Sequence, residues 1–377
     1  MEDQSILTGN LTRYYALLSR RKTIPFEGTF ELTPRCNMNC KMCYIRMTYE
    51  EMKRVGGELS GEKWIEIAKK AIDKGMMHVL LTGGEAILHP DFKKIYLYLR
   101  EHGVFVSVNT NATLLNDDWI NFFAENLPSQ INITVYGGSN ATYASLCNNN
   151  KGFDQMKEAV EKLQSKGIKV HLNCVITKQN SHDIDKIFEF GNSHNLFINA
   201  TTYCFPPVRK EGVQNLDDER YDAKSAARVR VMQNWYSMNS EKEFLSHVNH
   251  VIKDIVNNNN VNAAISEDKI LCAAGRSNFW ITWDGRMLIC GMIPNYSVKI
   301  KNCDFDTAWS DIVKYSSGIR LSKECSTCFK KKLCNPCAAK IIAETGSYNK
   351  KPQYLCDFTD EYIRLLIKAK EYLDNRQ

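Results

Sequence analysis

The run Phe26-Glu-Gly-Thr-Phe-Glu-Leu32 leads almost directly into Cys36-Asn-Met-Asn-Cys40-Lys-Met-Cys43. The first stretch is apolar and β-prone, and the second sets three cysteines at C-x3-C-x2-C spacing. Three thiolates on one short loop can hold three irons of a cubane and leave the fourth open to a ligand. A structural cluster or zinc site normally shows four protein ligands. The odd number points to chemistry at the open iron.

Outward from this loop, short β-rich runs alternate with amphipathic helical runs as far as residue 207. This is the signature of βα units on a parallel sheet. The expected strands are 29–33, 78–82, 105–109, 130–136, 169–177 and 197–203. Between them lie helices expected at 61–74 (capped by Ser60), 91–101, 117–125, 153–166 and 182–193. Six units predict an α/β fold, a partial (β/α)6 TIM-like barrel rather than a closed eightfold one. The division expected is an N-terminal segment 1–25, the barrel 26–215, a helical bridge 216–265 and a cysteine-rich iron–sulfur domain 266–377. The last domain closes on an amphipathic helix, 359–375.

Composition narrows the class. The chain has 377 residues, 44% hydrophobic and 24% charged, with a net charge of +6. The basic residues are dispersed and do not alternate with aromatics, so no nucleic-acid surface is expected. No run of about 18 apolar residues exists to span a membrane, and no export signal precedes residue 25. Fourteen cysteines without an export signal argue for metal or redox use in a reducing cytoplasm. Cys147, Cys174, Cys204 and Cys303 are scattered and read as inert small hydrophobes.

In β/α barrels, reactive groups gather on the loops after the strands. The cysteine triplet follows the first strand, Thr82-Gly83-Gly84-Glu85 the second, and Asn109-Thr110-Asn111 ends the third. Paired glycines let a backbone approach a ligand, and Glu85 can accept from an ammonium group. Asn109 and Asn111 offer amides suited to sugar hydroxyls.

C-x3-C-x2-C after the first strand with Gly-Gly-Glu after the second resembles the radical S-adenosylmethionine (SAM) enzymes. The resemblance implies a [4Fe–4S] cluster on Cys36, Cys40 and Cys43, with SAM chelating the fourth iron. Reductive cleavage of SAM would then give a 5′-deoxyadenosyl radical that abstracts a substrate hydrogen. It further implies Gly83, Gly84 and Glu85 at the methionyl amino group and Asn109 and Asn111 near the ribose. The position before the third cysteine is usually aromatic in the family. Here it is Met42, with Tyr44 just after, and both are expected near adenine.

Cys325-x2-Cys328-x5-Cys334-x2-Cys337 invites a zinc-ribbon reading, but the five-residue gap falls short of the roughly 15–20 between two knuckles. Zinc would also leave Cys272, Cys290 and Cys356 unexplained. The whole order resembles the SPASM extension of radical SAM enzymes, which carries two auxiliary [4Fe–4S] clusters. Residues 280–290 resemble its β-hairpin, with Asp284-Gly285 at the turn. That resemblance implies three [4Fe–4S] clusters in all. One auxiliary cluster would take Cys325, Cys328, Cys334 and Cys356, and the other Cys272, Cys290 and Cys337. The second set is one thiolate short, which leaves either Cys303 or an open iron to complete it.

Enzymes with this extension mostly modify peptides or proteins, so the implied reaction is a radical maturation such as a thioether or carbon–carbon crosslink in a ribosomally made peptide. Anaerobic sulfatase-maturase-type oxidation of Cys or Ser to formylglycine is an alternative, as is a small-molecule radical dehydrogenase or epimerase. The implied partners are a peptide or protein substrate, an external one-electron donor of flavodoxin or ferredoxin type, and a separate leader-binding protein. Glu267 and Asp268 stand as acid/base candidates. Tyr136, Asn173, Thr202 and Tyr203 are candidates to face the cavity.

Overall fold

The structure, a computed structural model, describes residues 2–209, 219–238, 240–260, 268–269, 272–300 and 304–375. Cys303 and Glu267 lie outside the described residues.

Six parallel strands form the expected open barrel. They are β1 (Glu27–Glu31), β2 (His78–Thr82), β3 (Phe105–Thr110), β4 (Gln130–Thr134), β5 (Val170–Val175) and β6 (Ile198–Thr201). Each pairs in parallel with the next, as at Phe30↔Leu81 and Ile133↔Leu172. Strands β4, β5 and β6 stop short of their expected runs, whose last residues leave the ladder for the following loops.

Along β3 to β6 one face is wholly buried and the other only partly. Val106, Val108, Ile131, Ile133 and Leu172 meet the helices, joining Leu99, Phe123, Val160 and Ile187 in one core. A fully buried Val, Leu or Ile contributes roughly 1.5–3 kcal/mol, so this face holds the barrel together. Helix starts follow local capping: the Ser60, Asn116 and Ser139 side chains accept from the backbone N–H three residues on. Gly103 and Gly167 follow their helices at φ +76° and +69°, where a side chain would strain the backbone.

Two features add detail to the expected division. Residues 2–22 form a helix, Glu2–Lys22. The cysteine-rich region is also not set apart from the barrel. Strand β7 (Asn278–Ile281) pairs in parallel with β1, at Phe30↔Ile281, and continues through β8 (Arg286–Leu288) and β9 (Val298–Lys299) into one nine-stranded sheet. The expected hairpin at Asp284-Gly285 is present, but it extends the barrel sheet. Phe279 packs on Phe30, Phe305 and Trp309, and the Trp309 indole donates to the Thr23 carbonyl at 2.8 Å.

A smaller core joins the helices Ala223–Tyr236, Glu241–Asn260 and Gln353–Asp374 through Phe244, Val248, Tyr362 and Leu366. The closing helix starts six residues before its expected position, so Cys356 lies in its first turn. Among the described residues, no helix is long and apolar enough to cross a membrane.

Candidate active site

The cysteine loop leaves β1 and lies against the Gly-Gly-Glu turn. Gly84 N–H donates to the Thr33 carbonyl at 2.7 Å and Glu85 N–H to the Arg35 carbonyl at 2.8 Å. A Cβ on Gly83 would stand 2.5 Å from the Thr33 oxygen, and one on Gly84 2.4 Å from that of Arg35. The close approach that the glycines permit is therefore to the cysteine loop itself.

The loop after β3 grips the other side. Asn111 Nδ2 donates to Asn37 Oδ1 at 2.9 Å and to Cys36 Sγ at 3.7 Å, while Asn37 Nδ2 donates to Thr113 Oγ1 at 2.8 Å. Asn111 is 4% exposed. Its amide orients the Cys36 loop, so the side chain expected at a ribose is already engaged. Asn109 accepts from Asn132 Nδ2 at 2.9 Å on the face turned away from the helices.

Glu85 is 1% exposed. Its Oε2 accepts from Asn111 N–H at 2.8 Å, and its Oε1 meets no donor within hydrogen-bond geometry among the described residues. Burial pushes this carboxyl up to about 7. A buried acceptor without a donor, beside three thiols, fits the ammonium of an amino acid.

The three thiols differ. Burial, with the Glu85 charge added, pushes Cys36 up to about 12. Cys40 is drawn below the usual thiol range, first by a hydrogen bond from Cys147 and also by one from Tyr136. Cys147 is fully buried, its own thiol held high by burial and by Cys40. It ends the helix Asn140–Cys147, whose last carbonyls, of Leu146 and Cys147, accept from Lys41 and Asn39 N–H at 3.0 Å each. Cys43 Sγ accepts from Arg46 N–H at 3.2 Å. Tyr136, a sequence candidate for this cavity, and Cys147, read as inert, both neighbour Cys40. The available signal was that both lie in the segment after β4, on the same rim as the triplet.

Met42 is partly buried against the core. Tyr44 is turned toward the C-terminal cysteines. Its hydroxyl is raised by burial, and it feels Glu31, Arg209, Cys43 and Cys290. Arg209, from the loop after β6, donates to Glu31 at 3.1 and 3.2 Å, and the Trp280 indole donates to the same carboxylate at 2.9 Å. Arg209 N–H also donates to the Tyr44 carbonyl at 3.2 Å. This buried cross-tie joins β1, the cysteine loop and the β7 hairpin.

The C-terminal cysteines fall into two neighbourhoods. Cys290, pushed up to about 11 by burial, feels Cys337 and Cys272. Cys334, raised by burial, feels Cys325 and Cys328, and Cys356 feels Cys334 and Cys325. Lys340, lowered by burial, feels Cys337 and Cys334 and so stands between the sets. Among the described residues, no three His, Cys, Asp or Glu side chains stand together in a way that would hold a metal ion.

Tyr203 donates to Glu344 at 2.6 Å, and Arg220 pairs with the same carboxylate. Asn173 accepts from Asn199 at 3.3 Å. Thr202 is buried at the end of β6. Asp268 is exposed and paired with Arg320 at 3.5 Å, outside this constellation.

Residues 30–191 match the model of the Radical SAM superfamily. An AdoMet-dependent heme synthase of Methanosarcina barkeri is 22% identical over 339 residues, covering 86% of this chain and 94% of that protein. The sporulation killing factor maturation protein SkfB of Bacillus subtilis is 27% identical over 175 residues, 46% of this chain and 42% of that one. In fold, the chain is similar to Streptococcus suis SuiB bound to precursor peptide SuiA. The TM-score is 0.66 at 16% identity, covering 92% of this chain and 80% of that one. Radical SAM enzymes bind a [4Fe–4S] cluster and SAM. With its cysteine triplet held between the Gly-Gly-Glu turn and the loop after β3, this chain carries a radical SAM domain over residues 30–191.

Proposed function

We propose that the chain modifies a peptide or protein, with two further clusters in its C-terminal region. Cys36, Cys40 and Cys43 would hold the radical-generating cluster. Cys325, Cys328, Cys334 and Cys356 would hold one auxiliary cubane, and Cys272, Cys290 and Cys337 the other. When bound, the first cluster and SAM supply a 5′-deoxyadenosyl radical.

The remaining work falls to the chain's own residues. Glu85 offers its unpartnered oxygen to the methionyl ammonium of SAM, and Met42 offers a soft apolar contact to adenine. Gly83 and Gly84 hold the turn close enough to aim Glu85. Asn109 faces the barrel interior, while Asn111 positions Cys36. The expected units are a barrel over 26–215, a bridge over 216–265 and an auxiliary-cluster region over 266–377 that shares the barrel's sheet. The electron comes from an external flavodoxin- or ferredoxin-type donor. A separate leader-binding protein would present the peptide in a reducing cytoplasm.

The inner wall of the barrel carries this reading. Asn109, Gln130, Asn132, Asn173 and Asn199 stand on the partly exposed face of four consecutive strands. Asn132 is bonded to Asn109 and Gln130 at 2.9 Å each. Neutral amides donate and accept alternately, as peptide groups do. No lysine or arginine lies on this face of β3 to β6.

A second reading, tetrapyrrole chemistry, is favoured by the long overlap with the heme synthase. The carboxylates of such a substrate call for cations, which this wall lacks. The test is anaerobic reconstitution and reduction with SAM, followed by mass spectrometry. Substrate-dependent 5′-deoxyadenosine with a short peptide encoded beside this gene supports peptide modification. Dependence on an iron porphyrin, with every peptide inert, overturns it.

A further inference from the structure

We propose that Cys147 is the resolving thiol for Cys40: in the cluster-free chain, peroxide closes a Cys40–Cys147 disulfide that blocks cluster assembly until it is reduced. The inference rests on the reading of Cys40 as a cluster ligand and adds a redox lock to that site.

Backbone contacts bring the two residues together. The helix Asn140–Cys147 ends at Asn148, whose φ of +56° turns the chain out of the helix. Carbonyls at a helix end have no partner within the helix, and the cysteine loop supplies donors for two of them. Asn39 N–H donates to the Cys147 carbonyl and Lys41 N–H to that of Leu146, at 3.0 Å each. Cys40 is therefore strapped on both sides to the helix end that carries Cys147. Backbones bonded in this way lie about 5 Å apart, within the roughly 4.4–6.8 Å that a disulfide spans between Cα atoms. The side chains complete the approach, since the Cys147 thiol donates to Cys40.

The other two thiols of the triplet are held by other groups. Cys36 Sγ accepts from Met38 N–H at 3.4 Å and from Asn111 Nδ2 at 3.7 Å. Cys43 Sγ accepts from Arg46 N–H at 3.2 Å. Cys40 is 9% exposed and Cys147 is wholly buried, so a small oxidant meets Cys40 first and Cys147 acts from behind it. With Cys40 tied to Cys147, only Cys36 and Cys43 remain for a cluster that takes three thiolates.

The reaction balances. The Cys40 thiol attacks one oxygen of hydrogen peroxide and the O–O bond breaks, giving a sulfenic acid and water. The Cys147 sulfur then displaces the sulfenic hydroxyl, which leaves as a second water with the Cys147 proton. Two thiols lose two electrons in all, and one peroxide becomes two waters. The disulfide is reversible, whereas further oxidation of the Cys40 sulfenic acid would give an irreversible sulfinic acid.

The test uses the full chain stripped of iron under anaerobic conditions, as the parent and as Cys147→Ser. Each is treated with equimolar hydrogen peroxide, alkylated, and mapped by mass spectrometry without reduction. Iron is then restored with and without prior dithiothreitol, and the SAM-responsive EPR signal of the reduced first cluster is read. The parent should yield a Cys40–Cys147 peptide pair as its main Cys40 crosslink. It should lose most of the SAM-responsive signal and regain it with dithiothreitol. Cys147→Ser should carry Cys40 with two added oxygens and regain little. Cys40 joined to Cys36 or Cys43 in the parent overturns the proposal, as does Cys147 alkylated in full after peroxide. Equal recovery in the two proteins overturns the protective role of Cys147. The parent map decides the pairing by itself should the variant fold poorly. If the parent never exposed to peroxide forms no SAM-responsive cluster, the functional reading fails, while the map still decides the disulfide.

Discussion

Arg209 holds Glu31 through two hydrogen bonds, at 3.1 and 3.2 Å, with both side chains almost wholly buried. Glu31 ends β1, and Arg209 comes from the loop after β6, 178 residues away. The pair ties β1, an interior strand flanked by β2 and β7, to the loop after β6. Tyr44 and Trp280, joined to it, tie the cysteine loop to the hairpin that leads to Cys290.

Breaking this pair should be costly. Arg209→Met leaves a buried carboxylate with only the Trp280 donor, a loss of about 3–5 kcal/mol. Thermal unfolding should show a large drop in Tm, and the double variant Glu31→Met/Arg209→Met should recover much of it. A single variant as stable as the parent would show that water reaches Glu31.

Cys147→Ala removes a hydrogen-bond donor from Cys40. Hydrogen bonds to cluster sulfurs raise the reduction potential, so the reconstituted first cluster should become harder to reduce. A tenfold change in the reduction equilibrium is about 59 mV, and a shift of that order is expected in EPR-monitored titration. Cys147→Ser keeps an O–H donor and should restore most of the shift. An unchanged potential in Cys147→Ala would reduce Cys147 to packing.

Gly84→Ala should displace the cysteine loop, because its Cβ would lie 2.4 Å from the Arg35 carbonyl oxygen and 2.7 Å from that of Pro34. Overpacking of this kind costs about 1–3 kcal/mol. Iron bound per chain after reconstitution should fall, with any iron held by the C-terminal cysteines retained. Full iron content would show that the loop yields freely.

Glu85 makes the cluster-free protein sensitive to pH. Its folded carboxyl is raised from 4.5 to about 7 by burial. The folded state therefore binds the proton more tightly than the unfolded chain. Stability is fully present below about 4.5 and is lost as pH rises through 7, by on the order of 3 kcal/mol. Glu85→Gln should flatten that slope in denaturant titrations at pH 5 and pH 8. The parent and the variant losing stability in parallel would place the charge elsewhere.

Much of the barrel and its first site was legible in advance because local chemistry specifies it. Apolar runs of strand length, caps such as Ser60 and glycines after helices report on the neighbouring few residues. The cysteine triplet and Gly83-Gly84-Glu85 are likewise local signals, and parallel βα topology places both on one rim. Cys147 was read as inert because nothing within its own stretch of chain announces a neighbour at position 40. Asn111 was assigned to a ligand because sequence cannot show that Asn37 occupies its amide. The hairpin at 284–285 was recognised, but not its parallel pairing with β1, because register between distant strands is settled by packing around Phe30 and Phe279.

By itself, the sequence determined the α/β class, the spacing of the cysteine triplet after β1 and the number of C-terminal thiols. Each of these is written in short-range spacing and periodicity. Tertiary structure alone decided that one sheet runs from the barrel into the cysteine-rich region, and that Arg209 crosses to Glu31. It also brought Cys147 beside Cys40. These relationships join residues tens to hundreds of positions apart. They exist only once burial of the shared core outweighs the entropy of bringing those segments together.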